Sequence, residues 1–124
     1  MKSYIPERGD IVWVDFNPQA GHEQAGHRPA LVLSTAGFNR RMKLAFVCPI
    51  TNQAKGIPFE VPVPAGTGVT GVVLCQHAKT LDWRARKLAF KCRLDDDTIN
   101  EVTGRVLSIV DPYGVFSSDD SDSE

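Results

Sequence analysis

The sequence has no long hydrophobic run and almost no net charge. No apolar stretch approaches the roughly 20 residues that cross a bilayer, and the N-terminal MKSYIPERGD lacks the apolar core of a secretory signal. We therefore expect a soluble, cytoplasmic protein with no membrane partner. At 124 residues, 42% of them hydrophobic, the chain has room for one modest core, so a second domain is not expected.

Cysteine is also scarce. Cys48, Cys75 and Cys92 are too widely spaced for a C-x-x-C metal knuckle, and their odd number does not suggest a disulfide framework. Because their neighbours are apolar, they are predicted to be buried free thiols, and nothing in the sequence indicates an activated nucleophile.

The net charge of −1 hides an asymmetry along the chain. The last eight residues, SSDDSDSE, hold four of the 15 acidic side chains, so residues 1–116 carry 14 basic and 11 acidic groups. Within residues 79–93 six basic side chains accompany a single acid, Asp82. This excess suits a polyanionic partner, although a solvated strand face is the commoner cause of such a run. We predict one domain over residues 1–112 and a disordered acidic tail over residues 113–124.

Short β-type segments separated by turn residues dominate the chain. DIVWVDF predicts a strand over residues 10–16, and further strand candidates are PALVLS, KLAFVCPI, FEVPV, GVVLCQH and LAFKCRL. Ile99, Val102 and Val106 recur at helix spacing after an acidic start and predict a helix that ends at Asp111-Pro112. The fold class is therefore mainly β (α+β), a small barrel or curled sheet with a C-terminal helix.

The stretch GHEQAGHRP concentrates ionisable groups between two predicted strands. Its glycines argue against a helix, so it is predicted as a loop that runs to Arg28. His22 and His27 do not have the H-E-x-x-H spacing that places two ligands on one helical face. A loop can still bring ligands together, but a metal site is the weaker alternative, and we expect neither a metal nor a cofactor.

Metal-free RNA cleavage would use these residue types differently. It needs a base near the ribose 2′-hydroxyl, a fixed positive charge for the phosphorane and donors that hold the phosphate. His22, His27 and Glu23 can act as acid or base, and the fork of Arg28 suits phosphate oxygens. Thr51 offers a hydroxyl and a backbone N–H at a strand end. A solvated loop and an ordinary turn explain the same residues without catalysis, so both interpretations stay open.

Three segments resemble the MazF/PemK family of endoribonuclease toxins from type II toxin-antitoxin systems. They are GDIVWVDFNPQAGHEQAGHRPALVLS, CPITNQAKGIPFEV and TGVVLCQHAKTLDWRAR, within a resemblance that spans about residues 4–110. The resemblance implies the MazF/PemK-like toxin fold, an SH3-like curled sheet, and a homodimer with RNA in a groove at its interface. It also implies sequence-specific, metal-independent cleavage of single-stranded mRNA to 2′,3′-cyclic phosphate and 5′-hydroxyl ends, and neutralisation by a cognate acidic antitoxin.

The resemblance also assigns catalytic roles. His22 or Glu23 would take the proton of the 2′-hydroxyl, Arg28 would stabilise the phosphorane, and Thr51 would hold the phosphate. PemK-like members have R-C-D where this chain has Leu74-Cys75-Gln76. The group that protonates the leaving 5′-oxygen therefore stays unassigned.

Further polar residues are predicted to bind RNA along a basic path: His27, Lys55, Gln76, Lys79, Arg84 and Arg86. Trp13 and Phe16 are expected in the core or an interface, whereas Trp83 could be either core or a stacking platform. A non-catalytic SH3-like binding module and a gyrase-binding toxin of the related fold are the alternatives. The set of Glu23, Arg28 and Thr51 favours the endoribonuclease, because a gyrase poison needs no such cluster.

Overall fold

The computed structural model describes residues 4–16 and 26–116, and the predicted catalytic residues His22 and Glu23 lie outside this part of the chain. Antiparallel strands form a sheet in the order β4-β5-β3-β2-β1-β7, and β6 also pairs with β3. The elements are β1 (Asp10–Asp15), β2 (His27–Val32), α1 (Ala36–Met42), β3 (Ala45–Thr51), β4 (Glu60–Pro62), β5 (Val72–Leu74), β6 (Lys79–Leu81), β7 (Ala89–Arg93) and α2 (Asp96–Val110).

Strand β3 organises the sheet because three strands pair with it. One edge pairs with β2, and the other edge is divided between β6 at its beginning and β5 at its end. A single 3-10 turn, Cys75–His77, joins β5 to β6. The predicted strand GVVLCQH is therefore strand only over Val72–Leu74, and its last three residues form this turn.

The sheet buries side chains on both faces. One face carries Ile11, Leu31 and Ile50, which pack with Ile99 and Val102 of α2. On the other face lies a second cluster: Val12, Val14, Phe16, Ala30, Val32, Ala45, Val47, Leu81, Trp83 and Leu88. Residues that alternate along the strands therefore belong to two different clusters, because successive side chains of a strand point to opposite faces of the sheet.

Helix α2 confirms the predicted C-terminal helix, and Asp111 follows its last residue. The Asp95 carboxylate caps its first turn by accepting from the N–H of Thr98 at 2.9 Å. This hydrogen bond, more than any other interaction, lowers the pKa of Asp95. Within the described residues, no helix has both the length and the apolar character needed to cross a membrane.

Three features differ from the sequence-based expectations. Strand β2 begins at His27, so Arg28 lies on a strand, whereas the loop was predicted to run through it. No element is predicted from the sequence around Gly37–Lys43, but this segment contains α1, which is capped by the Thr35 hydroxyl. Strand β6 was not predicted. Its apolar content is too small to produce a strand signal, and its pairing with β3 provides the missing stabilisation.

Candidate active site

Arg28 and Thr51 stand in one row of the sheet. Arg28 pairs with Val14 of β1, and two residues later Ala30 pairs with Pro49 of β3. Extending the β2–β3 register by two residues sets Arg28 opposite Thr51, with both side chains on the same face. Arg28 is exposed there and Thr51 is buried. The register therefore brings the two predicted catalytic residues to neighbouring strands at one end of the sheet.

Local contacts fix the position of Thr51. Its hydroxyl oxygen accepts a hydrogen bond from the N–H of Gln53 at 3.1 Å. On the far side of β3, Thr51 pairs with Val72 of β5. The backbone of Gly71 approaches so closely that a β-carbon there would stand 2.3 Å from the Thr51 carbonyl oxygen. Thr51 is therefore a rigid part of the sheet end.

A polar pocket of about 250 Å³ opens beside Thr51. Its lining contains three residues predicted from sequence and four that sequence reasoning missed. The predicted residues are Thr51, Lys55 and Gln76, and the others are Gln53, Glu60, Leu74 and His77. The pairs Thr51–Val72 and Glu60–Leu74 place the pocket on the face that carries Arg28. The face therefore offers a cation, a hydroxyl, amides, a carboxylate and an imidazole.

The segment that carries Lys55 is held by two charged side chains. The Glu60 carboxylate accepts from the N–H of Lys55 at 3.0 Å and from the N–H of Gly56 at 2.9 Å. Arg105 of α2 donates to the carbonyl of Pro58 and forms an ion pair with Glu101 at 2.9 Å. The exposed segment is thereby anchored at both ends, which orders one wall of the pocket.

His27 lies on the opposite face of β2 from Arg28, because neighbouring residues of a strand alternate. It pairs with Asp15 and its ring packs on Trp13, with ring centroids 5.6 Å apart. The structure therefore does not bring His27 to the face of Arg28 and Thr51. The sequence Gly26-His27 does not indicate this, because it does not show which side chains of the strand point to which face of the sheet.

The other predicted RNA-binding residues surround this face or extend from it. Lys79 lies over the ring of Phe16, with Nζ 5.2 Å from its centroid, and lines a second pocket next to His77. Arg86 donates to the carbonyl of Asp15 at 3.4 Å, whereas Arg84 is exposed. These three side chains place positive charge beyond the Thr51 pocket.

The burial of Phe16 and Trp83 shows whether these aromatic residues belong to the core. Phe16 lies in the second core cluster, as predicted. Trp83 is 7% exposed and its indole N–H donates to the Asn39 carbonyl at 2.9 Å, so it is a core residue. Trp13 is half-buried.

The thiols do not provide a nucleophile. All three are free, and Cys48 and Cys75 are buried as predicted, whereas Cys92 is only partly buried. Burial raises the pKa of Cys75 to about 11, and burial likewise raises the pKa of Cys48 and of Cys92. Raised pKa values keep these groups as thiols near neutral pH.

The chain matches a known protein family over most of its length. The family described as PemK-like, MazF-like toxin of type II toxin-antitoxin system matches residues 7–110, which include Arg28, Thr51 and the whole sheet. The chain belongs to this toxin family. The predicted family and the predicted fold class are thereby confirmed.

Individual relatives extend over most of the chain. The endoribonuclease toxin MazF of Escherichia coli (strain K12) is 49% identical over 107 residues, covering 86% of this chain and 96% of the relative. The crystal structure of MazF (Form-I) from Deinococcus radiodurans superposes with a TM-score of 0.84 at 49% identity, covering 87% of this chain and 98% of that one. A MazE-MazF structure (Form-III) from the same organism has a TM-score of 0.79 at 47% identity, with coverage of 86% and 97%.

Proposed function

We propose that this MazF-like toxin is a metal-independent endoribonuclease that cleaves single-stranded mRNA in the cytoplasm and thereby inhibits translation and growth. The observation that carries the proposal is the shared row of Arg28 and Thr51 beside a polar pocket. The names of its relatives, endoribonuclease toxin MazF and the MazE-MazF complexes, support the same activity and a cognate antitoxin as its partner.

The proposed reaction is an intramolecular transesterification. His22 or Glu23 takes the proton of the ribose 2′-hydroxyl, whose oxygen attacks phosphorus and displaces the 5′-oxygen. Arg28 stabilises the charge that gathers on the phosphorane, and Thr51 donates a hydrogen bond to a phosphate oxygen. The products are a 2′,3′-cyclic phosphate and a 5′-hydroxyl.

The RNA path continues from the pocket across the basic residues. Lys55 and Gln76 line the pocket, and Lys79 lies next to it. Arg84 and Arg86 extend the positive charge, and His27 would contact RNA only beyond the edge of the site. We propose that the active form is a homodimer and that an acidic antitoxin segment competes with RNA for this charged surface.

The test is cleavage of a defined single-stranded RNA in EDTA by the wild type and by Arg28→Ala. The wild type should produce cyclic phosphate ends, identified by mass spectrometry. Arg28→Ala should be about 10²- to 10³-fold slower, with an unchanged circular dichroism spectrum because Arg28 is exposed. Intact RNA with the wild type would instead favour the gyrase-binding or non-catalytic alternatives. An Arg28→Ala rate equal to that of the wild type would reject the role of Arg28.

A further inference from the structure

His77 lies in the same pocket as Thr51, although its position in the sequence shows no sign of this. The pocket joins the end of β3, the segment after it and the 3-10 turn that carries His77. We infer that His77 is the general acid that protonates the leaving 5′-oxygen. The inference rests on the proposed function and fills the one catalytic role that the sequence left unassigned.

The turn that carries His77 is built as a fixed support. Cys75, its first residue, is fully buried and its N–H donates to the Phe59 carbonyl at 3.0 Å. The N–H of Ala78 closes the turn on the carbonyl of Cys75 at 3.3 Å. The strands on either side, β5 and β6, both pair with β3. His77 is therefore held relative to Thr51 by the same strand, which is the rigidity that a positioned proton donor requires.

The chemistry of the pocket favours the imidazole as the donor. Imidazole changes its charge between pH 5 and 8, so it can give a proton and regain it near neutrality. The other described histidine, His27, lies on the opposite face against Trp13. Among the described residues, the charged side chains that line a pocket together with His77 are Lys55 and Glu60 in the first pocket and Lys79 in the adjoining one. The Glu60 carboxylate already accepts two backbone N–H groups, and lysine ordinarily gives up its proton only near pH 10.

The proton balance of the step is complete. The base accepts the proton of the 2′-hydroxyl as the 2′-oxygen forms its bond to phosphorus. As the bond from phosphorus to the 5′-oxygen breaks, the imidazolium of His77 donates its proton to that oxygen. The enzyme is left with a protonated base and a neutral imidazole, and exchange with water restores both.

A leaving-group substitution separates acid catalysis from binding. An RNA oligonucleotide with a single bridging 5′-sulfur at the mapped cleavage site releases a thiolate, which needs no proton. His77→Gln should cleave the oxygen substrate about 10²- to 10⁴-fold more slowly than the wild type. It should cleave the sulfur substrate at a rate within a few-fold of the wild type.

His27→Gln is the matched control, because it removes an imidazole from the other face and should treat the two substrates alike. Equal slowing of both substrates by His77→Gln would assign His77 to binding or structure and overturn the inference. An unchanged rate on the oxygen substrate would also overturn it. Failure of the wild type to cleave the oxygen substrate would reject the proposed function itself, and the role of His77 with it.

Discussion

The carbonyl oxygen of Thr51 lies 2.3 Å from the position that a β-carbon on Gly71 would occupy. Such a separation is below any that real β-carbons adopt, and Gly71 also has a φ of +114°, where an L side chain is strained. Because Thr51 ends β3 and lines the pocket, one glycine supports both the sheet edge and the active site. Fold and chemistry are therefore coupled at this residue pair.

Gly71→Ala should destabilise the protein and slow RNA cleavage. The added carbon must displace the Thr51 backbone, and strain together with overpacking of this kind costs about 1–3 kcal/mol. Urea unfolding and cleavage rates would measure the two effects. Gly104→Ala is the control, because Gly104 lies in α2, and among the described residues no atom beyond the neighbouring helix backbone comes within 4 Å of its β-carbon position. It should stabilise the fold by up to ~1 kcal/mol. A Gly71→Ala protein with wild-type stability and rate would contradict the coupling.

Strand alternation and motif order were enough to predict the main elements of the fold. The pattern DIVWVDF predicted a strand over residues 10–16, and β1 occupies Asp10–Asp15. The acidic start before Ile99 predicted the N-terminus of α2, where the structure shows that Asp95 is the cap. These features depend on local periodicity and capping, which the sequence expresses directly. The roles of Arg28 and Thr51 stay predictions until variants are assayed.

The remaining parts of the site depend on register and on contacts between distant segments. The sequence has no local signal for the 3-10 turn that carries His77 or for the separation of His27 from Arg28. Both depend on the register of the strands, which fixes the face to which each side chain points. Helix α1 is equally hidden: it is seven residues long and depends on the buried side chain of Asn39. The Asn39 amide donates to the Pro6 carbonyl at 2.8 Å, a contact between residues 33 positions apart.

Glu60→Ala should weaken RNA binding more than it weakens the fold. The carboxylate accepts from the N–H groups of Lys55 and Gly56, and its loss would release this wall of the pocket. Hydrogen bonds to a charged group contribute about 1.5–3 kcal/mol, so we expect about a tenfold or greater loss of affinity. Binding of a 2′-deoxy-substituted, uncleavable RNA measures the affinity, and amide hydrogen exchange at residues 55 and 56 reports the order of the segment. Unchanged exchange at both amides would exclude this role for Glu60.

Trp83→Phe should affect stability and leave RNA affinity within a few-fold of the wild type. The indole N–H donates to the Asn39 carbonyl in the core, and its loss should cost about 1 kcal/mol. The variant should also lose the blue-shifted part of the tryptophan fluorescence, since Trp13 is the more exposed of the two tryptophans. A large loss of RNA affinity with unchanged stability would instead identify Trp83 as a stacking platform.

The protein should lose stability in alkali as the stabilisation that protonated Tyr4 provides is lost. Burial and the hydrogen bond that its hydroxyl donates to Asp10 raise the pKa of Tyr4 above its ordinary value of 10.0. The folded protein therefore binds this proton more tightly than the unfolded chain. The resulting stabilisation is complete below pH 10 and is lost as the pH rises above it, by at most ~1.4 kcal/mol per pH unit.

Tyr4→Phe isolates this contribution from the other groups that titrate in alkali. The variant should be less stable than the wild type at pH 8, because Asp10 loses its hydrogen bond from the phenol and, among the described residues, keeps the N–H of Glu7 at 3.0 Å and the guanidinium of Arg93 at 3.8 Å. The difference in unfolding free energy between the two proteins should then shrink from pH 10 to pH 11, since the wild type alone loses the proton-linked term. Urea unfolding at half-unit pH steps measures it. A difference that stays constant from pH 8 to 11 would show that the Tyr4 phenol titrates in the folded protein as it does in the unfolded chain.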